Sequence, residues 1–310
     1  MQLTAIRVYV TENCNANCKN CFNAGTRKNA EINPEVFEQL CGYLKENGIV
    51  SIKIMGGEPT VHRKYPEIVV IAQKYFDAIN VFTNGTSDKL KKMTLRKKDG
   101  VIYNFNFANI FSKEKFILDQ PGKRVLEVQV NKETNEYALL NKIVELTAFD
   151  ISKISVSLTL DCVSNIFLDR KTVVPKLLYL QDGLEKNGIK YGYDHKIPYC
   201  YVYKSGLKLH RKSCFCAIKN AGLIDADLDL RFCNQHSEKL VHLMQDGKFL
   251  PWQIIGNFLL QAYYKHQTEA LNKICLECIF YDSICNGGCW IIKKNIQHND
   301  ILEHTNFPVI

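Results

Sequence analysis

Cys14-Asn15-Ala16-Asn17-Cys18-Lys19-Asn20-Cys21 follows the apolar run Ile6 to Val10 and sets three cysteines at C-x3-C-x2-C in a polar loop. Three thiolates can hold three irons of a 4Fe–4S cluster. No fourth cysteine lies close by in sequence, so the fourth iron is left for an outside ligand, which can be chelated there and given one electron. Taken by itself the triplet also suits a structural zinc loop.

A second motif lies about 35 residues on. Ile52-Lys53-Ile54-Met55-Gly56-Gly57-Glu58-Pro59 reads as a short buried strand that ends in Gly-Gly-Glu-Pro. Paired glycines permit close backbone approach. The following Glu58 offers a carboxylate at the carboxyl end of a strand, where α/β proteins bind ligands. Thr83-Asn84-Gly85 closes a third apolar run, Ala78 to Phe82, and is also compatible with an ordinary strand-to-helix turn.

In this order the motifs resemble the radical S-adenosylmethionine (SAM) superfamily. In that family the open iron of the cluster binds the amino and carboxylate groups of SAM. Reduction cleaves SAM to a 5′-deoxyadenosyl radical, which abstracts hydrogen from the substrate. The resemblance implies that Cys14, Cys18 and Cys21 hold the cluster, and that Gly56, Gly57 and Glu58 take the amino group of SAM. Asn84 and Asn106, the latter in Phe105-Asn106-Phe107, are further expected cofactor contacts. One departure is that Asn20 stands before the third cysteine, where the family usually has an aromatic residue; Phe22 can supply a ring instead.

Composition suits a soluble metal enzyme. The 310 residues are 46% hydrophobic, enough for one large domain and a small one. No apolar run reaches the ~18 residues of a membrane span. The start, Met1-Gln2-Leu3-Thr4, lacks a signal-peptide pattern. Thirteen cysteines clustered at metal-like spacings then point to a reducing cytoplasm rather than to disulfides. The net charge of +8 is partly local, as in Lys89 to Lys98, and such a run is usually a solvated helix face.

Apolar runs near 5–10, 50–55, 78–82, 101–107, 125–130 and 152–160 read as strands. Amphipathic stretches from Pro34 to Lys45, Tyr65 to Phe76, Glu136 to Leu146 and Val173 to Glu185 read as helices, with Asn33-Pro34 as a helix start. Repeated β-α units imply parallel strands with right-handed crossovers. The expected fold is α/β: a partial (β/α)6 barrel of the radical SAM type over residues 1–194, then a small cysteine-rich SPASM/twitch-like α+β domain over 195–310.

Seven of the 13 cysteines fall between 214 and 289, as Cys214-x-Cys216, Cys233 and Cys275-x2-Cys278-x6-Cys285-x3-Cys289. Leu223 to Phe232 reads as a tight hairpin turning at Asp225-Ala226-Asp227. The set resembles the SPASM extension and its shorter relative, the twitch domain, which carry auxiliary Fe–S clusters. It departs in having Leu228 at the hairpin glycine position, six residues in the middle gap and no cysteine after Cys289. The resemblance implies one cluster on Cys214, Cys216, Cys233 and Cys289. A second on Cys275, Cys278 and Cys285 lacks a ligand, for which Asp300, His304 and His298 are candidates. A single cluster on Cys216, Cys233, Cys275 and Cys278 is the rival arrangement, and zinc is another.

Cys41 sits on the apolar face of the first helix and reads as core. Cys162 and Cys200 are candidate catalytic thiols, able to return hydrogen to a substrate radical; buried structural thiols are the plainer reading.

Together these features lead us to expect a radical SAM enzyme that modifies a ribosomally made peptide by cross-linking, thioether formation, oxidation or epimerisation. A small-molecule radical SAM dehydrogenase or cyclase would use the same parts, and a non-catalytic Fe–S or zinc protein binding nucleic acid is the third reading. The expected partners are a precursor peptide, an electron donor such as flavodoxin or ferredoxin, and a separate leader-binding protein, because the chain enters its first strand near residue 3. No membrane is expected, and nucleic acid is not favoured.

Overall fold

The computed structural model describes residues 3–18, 21, 29–105, 121–158, 168–193, 197–208, 222–234, 238–269 and 275. Cys162, Asn106, Cys214, Cys216, Cys278, Cys285, Cys289, His298, Asp300 and His304 lie outside them.

The chain forms an α/β fold with a mostly parallel central sheet. Two compact units divide it. The first holds β1 (Ala5–Thr11), α1 (Pro34–Glu46), β2 (Ser51–Gly56), α2 (Tyr65–Tyr75), β3 (Ala78–Thr83) and all but the last residue of β4 (Gly100–Phe105). The second holds most of β5 (Lys123–Val130), then α3 (Glu136–Leu146), β6 (Lys153–Leu158), α4 (Arg170–Lys186), β7 (Tyr191–Tyr193) and the single-turn α5 (Tyr199–Val202). Later segments return to the first unit as β8 (Leu223–Ile224), β9 (Asp229–Arg231), β10 (Val241–His242), β11 (Met244–Gln245) and β12 (Lys248–Phe249). Helix α6 (Trp252–Glu269) follows.

In the first unit the strand order is β10-β9-β8-β1-β2-β3-β4. Strands β8, β1, β2, β3 and β4 are parallel, while β9 and β10 run antiparallel at the edge. In the second unit the order is β5-β6-β7, with β6 and β7 parallel. Ile52, Ile54, Ile79, Val81 and Val101 are fully buried at alternate strand positions, the period of one packed sheet face.

Helix α1 begins where Asn33 Oδ1 accepts from Glu35 N (2.8 Å), with Pro34 at its first position. Such a cap contributes about 1 kcal/mol. Its buried residues Phe37, Leu40, Cys41 and Leu44 recur at helical spacing, so Cys41 is core as expected. Burial pushes the Cys41 thiol well above its usual range, which makes it a poor nucleophile.

The 223–231 hairpin forms, and its strand β8 pairs with β1 through Arg7↔Leu223 and Val8↔Ile224. Asp225 Oδ1 accepts from Asp227 N (3.1 Å) and Asp229 N (2.9 Å), and Oδ2 from Arg231 (2.6 Å). Leu228 takes φ 63°, the left-handed conformation that glycine would adopt freely, and its side chain is buried.

The basic run departs from a solvated helix face. Asp88–Lys92 is a short 3-10 helix. Arg96 turns inward instead, donating to Gln73 O (2.8 Å), Phe76 O (3.0 Å) and the buried Asp99 carboxylate (2.9 Å). No described helix is long and apolar enough to cross a membrane.

Candidate functional site

The parallel register brings three loops to one edge of the sheet. Tyr9 pairs with Met55, Thr11 with Gly56, and Ile54 with Val81. The chain beyond Thr11, Gly56 and Thr83 therefore emerges at the carboxyl ends of neighbouring strands, the ordinary ligand edge of α/β sheets.

The loop after β1 carries Cys14, Cys18 and Cys21, each half-buried. Ala16 N donates to Cys14 Sγ (3.4 Å), and Cys21 N to Cys18 O (3.1 Å), which closes a turn between two of the cysteines. Hydrogen bonds to a ligating sulfur tune a cluster's potential. Among the described residues, no three His, Cys, Asp or Glu side chains converge as donors of a single metal ion. Cluster ligands each hold a different iron, so they stand wider apart than the donors of one ion. Three thiols on one loop, with no fourth cysteine close by in sequence, fit a cluster with one open iron.

Gly56 and Gly57 sit against the start of that loop. A Cβ on Gly56 would lie 2.2 Å from Thr11 O, and one on Gly57 would lie 2.3 Å from Asn13 O. The closeness comes from main-chain pairing: Gly57 N donates to Thr11 O (2.9 Å) and Glu58 N to Asn13 O (2.8 Å). Only glycine allows the strand end to lie flat on the segment entering Cys14.

Glu58 is 1% exposed. Its Oε1 accepts from Thr60 Oγ1 (2.6 Å), Thr83 Oγ1 (2.7 Å) and Thr60 N (3.2 Å), and Oε2 from Asn84 N (2.6 Å). Burial raises the Glu58 carboxyl above the usual carboxylate range, and the donors from Asn84, Thr60 and Thr83 oppose that rise. A cation placed nearby would favour the charged form further.

Asn84 Nδ2 donates to Asn15 Oδ1 (2.9 Å), and Asn15 Nδ2 to Thr86 Oγ1 (3.0 Å). Asn84 Oδ1 accepts from Thr86 Oγ1 (2.7 Å) and Thr86 N (3.0 Å). The structure thus brings Cys14, Cys18, Cys21, Gly56, Gly57, Glu58 and Asn84 to one edge. Sequence reasoning missed Asn15, Thr60, Thr83 and Thr86 as parts of this network. A hydroxyl two residues after Glu58 and another at the end of β3 were the available signals.

Three other expected residues are described. Cys233 follows β9 in the first unit, and the half-buried Cys200, on the single-turn α5, and Cys275 belong to the second. Tyr9 is a core residue of β1, two positions before Thr11. Its ring packs with Met55, Leu223 and Phe82, and its buried hydroxyl has no hydrogen-bond partner among the described residues. Burial pushes its phenol far above the usual range, and the nearby charges of Arg7, Cys21, Cys233 and Arg231 also act on it.

Residues 8–157 match the family model described as Radical SAM superfamily. A protein named Probable GTP 3',8-cyclase from Methanothermobacter marburgensis is 36% identical over 86 residues, 27% of this chain and 28% of that protein. The chain therefore spans less than a third of the length of that relative. Among solved structures, Streptococcus suis SuiB bound to S-adenosylmethionine matches at TM-score 0.62 and 16% identity, covering 93% of this chain and 73% of that one. SuiB has also been solved bound to precursor peptide SuiA, a match at TM-score 0.59 and 15% identity that covers 93% of this chain and 72% of that one. Native anSMEcpe with bound AdoMet and Cp18Cys peptide matches at TM-score 0.64 and 14% identity, covering 98% of this chain and 97% of that one. Identities this low carry the fold alone. Residues 8–157, just under half of the chain, are thus a domain of the radical SAM superfamily.

Proposed function

We propose that this chain is a radical SAM enzyme that modifies a ribosomally made peptide. The observation that carries the reading is the extent of likeness. The fold match to a structure holding AdoMet and a peptide runs over 98% of this chain, whereas the match to the cyclase is confined to 27% of it. The complex of SuiB with its precursor peptide supports the same substrate class.

In this reading Cys14, Cys18 and Cys21 hold the 4Fe–4S cluster. Gly56, Gly57 and Glu58 form the shelf for the amino end of SAM, and Asn106 would contact its ribose. When bound and reduced, the cluster supplies the electron that cleaves SAM and so generates the radical that takes hydrogen from the substrate. The protein's own contribution is placement. Main-chain bonds from Gly57 and Glu58 fix the entry to the cysteine loop. The buried Glu58 carboxylate adds negative charge under the expected ammonium group.

Cys214, Cys216, Cys233 and Cys289 would hold one auxiliary cluster, and Cys275, Cys278 and Cys285 a second. Cys162 or Cys200 would return hydrogen to a substrate radical. A flavodoxin or ferredoxin would supply electrons in the cytoplasm.

A second reading, a small-molecule cyclase acting on a nucleotide, is favoured by the name of the curated relative. Anaerobically reconstituted, reduced protein is incubated with SAM and either candidate precursor peptides or GTP, and products are read by mass spectrometry. A mass change in a peptide that depends on SAM supports the first reading. Conversion of GTP with no peptide product overturns it. The Cys14→Ala/Cys18→Ala/Cys21→Ala variant should abolish SAM cleavage to 5′-deoxyadenosine in either case, and undiminished cleavage would remove the triplet from the mechanism.

A further inference from the structure

Asn15 lies between the first two cysteines of the loop, and its side chain is one of three that close a ring. Asn84 Nδ2 donates to Asn15 Oδ1 (2.9 Å), Asn15 Nδ2 to Thr86 Oγ1 (3.0 Å), and Thr86 Oγ1 to Asn84 Oδ1 (2.7 Å). Each side chain gives one hydrogen bond and takes at least one. The orientation of the ring is fixed by a group with no choice. The Thr86 backbone N–H can only donate, and it donates to Asn84 Oδ1 (3.0 Å). The Asn84 amide must then turn its NH2 toward Asn15, whose own NH2 is left for the Thr86 hydroxyl.

Behind the ring, Asn84 is anchored through its backbone. Asn84 N donates to Glu58 Oε2 (2.6 Å), and Glu58 N donates to Asn13 O (2.8 Å). The cysteine loop is therefore held on both sides of Cys14: at Asn13 by the strand end of β2, and at Asn15 by the segment after β3.

The Asn15–Asn84 and Asn15–Thr86 bonds are exposed, where water competes for every donor. They contribute little to global stability, so their effect is on where the loop stands before anything binds. A preformed loop loses less freedom when it takes up a ligand.

We propose that Asn15, Asn84 and Thr86 form a latch that positions the cysteine loop, with Asn84 acting through Asn15 rather than as a cofactor ligand through its side-chain amide. This rests on the reading that Cys14, Cys18 and Cys21 hold a cluster, but half of its test needs no iron.

The full chain is compared as wild type, Asn15→Ala, Asn84→Ala, the double variant, Thr86→Val and Thr86→Ser. In the metal-free chain, amide exchange over residues 12–18 should speed up roughly three- to tenfold in the two alanine variants and in Thr86→Val, the factor one neutral hydrogen bond contributes. Thr86→Ser keeps the hydroxyl and should behave as wild type. In the reconstituted chain, iron release to a chelator should accelerate by a similar factor. The double variant should be no worse than either single one, because one ring is broken once.

Exchange and iron release unchanged in Asn84→Ala overturn the latch. So do additive effects of the two alanine substitutions. So does Asn84→Ala losing SAM affinity while exchange and iron release stay at wild-type rates, which would make Asn84 a cofactor ligand. If the wild-type chain takes up no iron, the cluster reading fails, and the exchange arm still decides the latch.

Discussion

Replacing Gly57 with alanine tests the contact on which the site is built. The added Cβ would stand 2.3 Å from Asn13 O, 2.6 Å from Glu12 O and 2.7 Å from Asn13 C. All three atoms are backbone and cannot swing aside as a side chain would. Reaching an ordinary 3.4 Å contact requires the strand end and the loop to part by about 1 Å. The bonds from Gly57 N to Thr11 O (2.9 Å) and from Glu58 N to Asn13 O (2.8 Å) then stretch past useful length. Each contributes about 0.5–1.5 kcal/mol net, and the residual overpacking costs roughly 1–3 kcal/mol. The expected loss is about 2–6 kcal/mol, which lowers the thermal midpoint by roughly 3–9 °C in a chain of this size. The same movement displaces Asn13, the residue before Cys14, so iron retained after reconstitution should fall as well. Gly48→Ala is the control. Gly48 has φ +84° with nothing within 4 Å of an added Cβ. It should cost about 1–2 kcal/mol through left-handed strain and leave iron content unchanged. Circular dichroism melting of the metal-free chain and iron assay of the reconstituted one measure both effects. A Gly57→Ala protein with the wild-type midpoint and full iron would refute the argument from close approach.

Glu58→Gln sets an NH2 group among Thr60, Thr83 and the Asn84 N–H, all of which donate to the carboxylate, and removes its charge. A charge-assisted bond contributes about 1.5–3 kcal/mol, so SAM affinity should fall roughly 10- to 100-fold with iron retained, and an unchanged dissociation constant would count against the shelf. Tyr9→Phe removes a buried hydroxyl that has no partner among the described residues; the urea midpoint should rise, by about 1 kcal/mol in stability, and a drop would show that the hydroxyl is bonded. Asp99 is governed by two opposed effects: burial pushes its carboxyl up, but hydrogen bonds from Arg96, Ile79 N and Gln73 outweigh this and hold it below the usual range. Its contribution is therefore present above the unfolded value of about 3.9 and is lost as pH falls through the lower folded value, so Asp99→Asn should be less stable at pH 6 with a flatter acid limb. Acid limbs of equal slope in urea titrations from pH 2 to 6 would sink this assignment.

Much of the fold was legible because its period is simple. The six apolar runs became β1 to β6 within a few residues, and α1 starts at Pro34 as its cap chemistry demands. The three-residue β7, Tyr191–Tyr193, escaped because so short a run has no readable alternation. The basic run was misread in part because charge counting does not see Asp99, whose buried carboxylate draws Arg96 inward. Leu228 shows the opposite case. Its place at a turn position that favours glycine was visible, and the structure keeps the left-handed backbone there, held by Leu228 N to Asp225 O (3.0 Å) and by burial of the side chain. At the candidate site the cysteines and Gly-Gly-Glu were legible as motifs. The threonines were not, because a hydroxyl takes its role from the carboxylate it meets in space.

The spacing of the motifs follows from the architecture. A strand, its covering helix and the return take about 45 residues from Thr11 to Gly56 and about 27 from Gly56 to Thr83, and parallel pairing brings all three ends to one edge. Once there, each end is tied to the next by a donor that has a single acceptor to choose. Gly57 N takes Thr11 O, Glu58 N takes Asn13 O, and Asn84 N takes Glu58 Oε2. Backbone donors carry these ties, so side-chain substitutions can change what the site binds without moving the strand ends. The exceptions are Gly56 and Gly57, where any Cβ strikes main-chain oxygen, and Glu58, whose side chain links the end of β2 to the end of β3. Gly-Gly-Glu is therefore demanded by the fold of this edge before any ligand arrives. The cysteines and Asn15 ride on a loop whose position that edge sets.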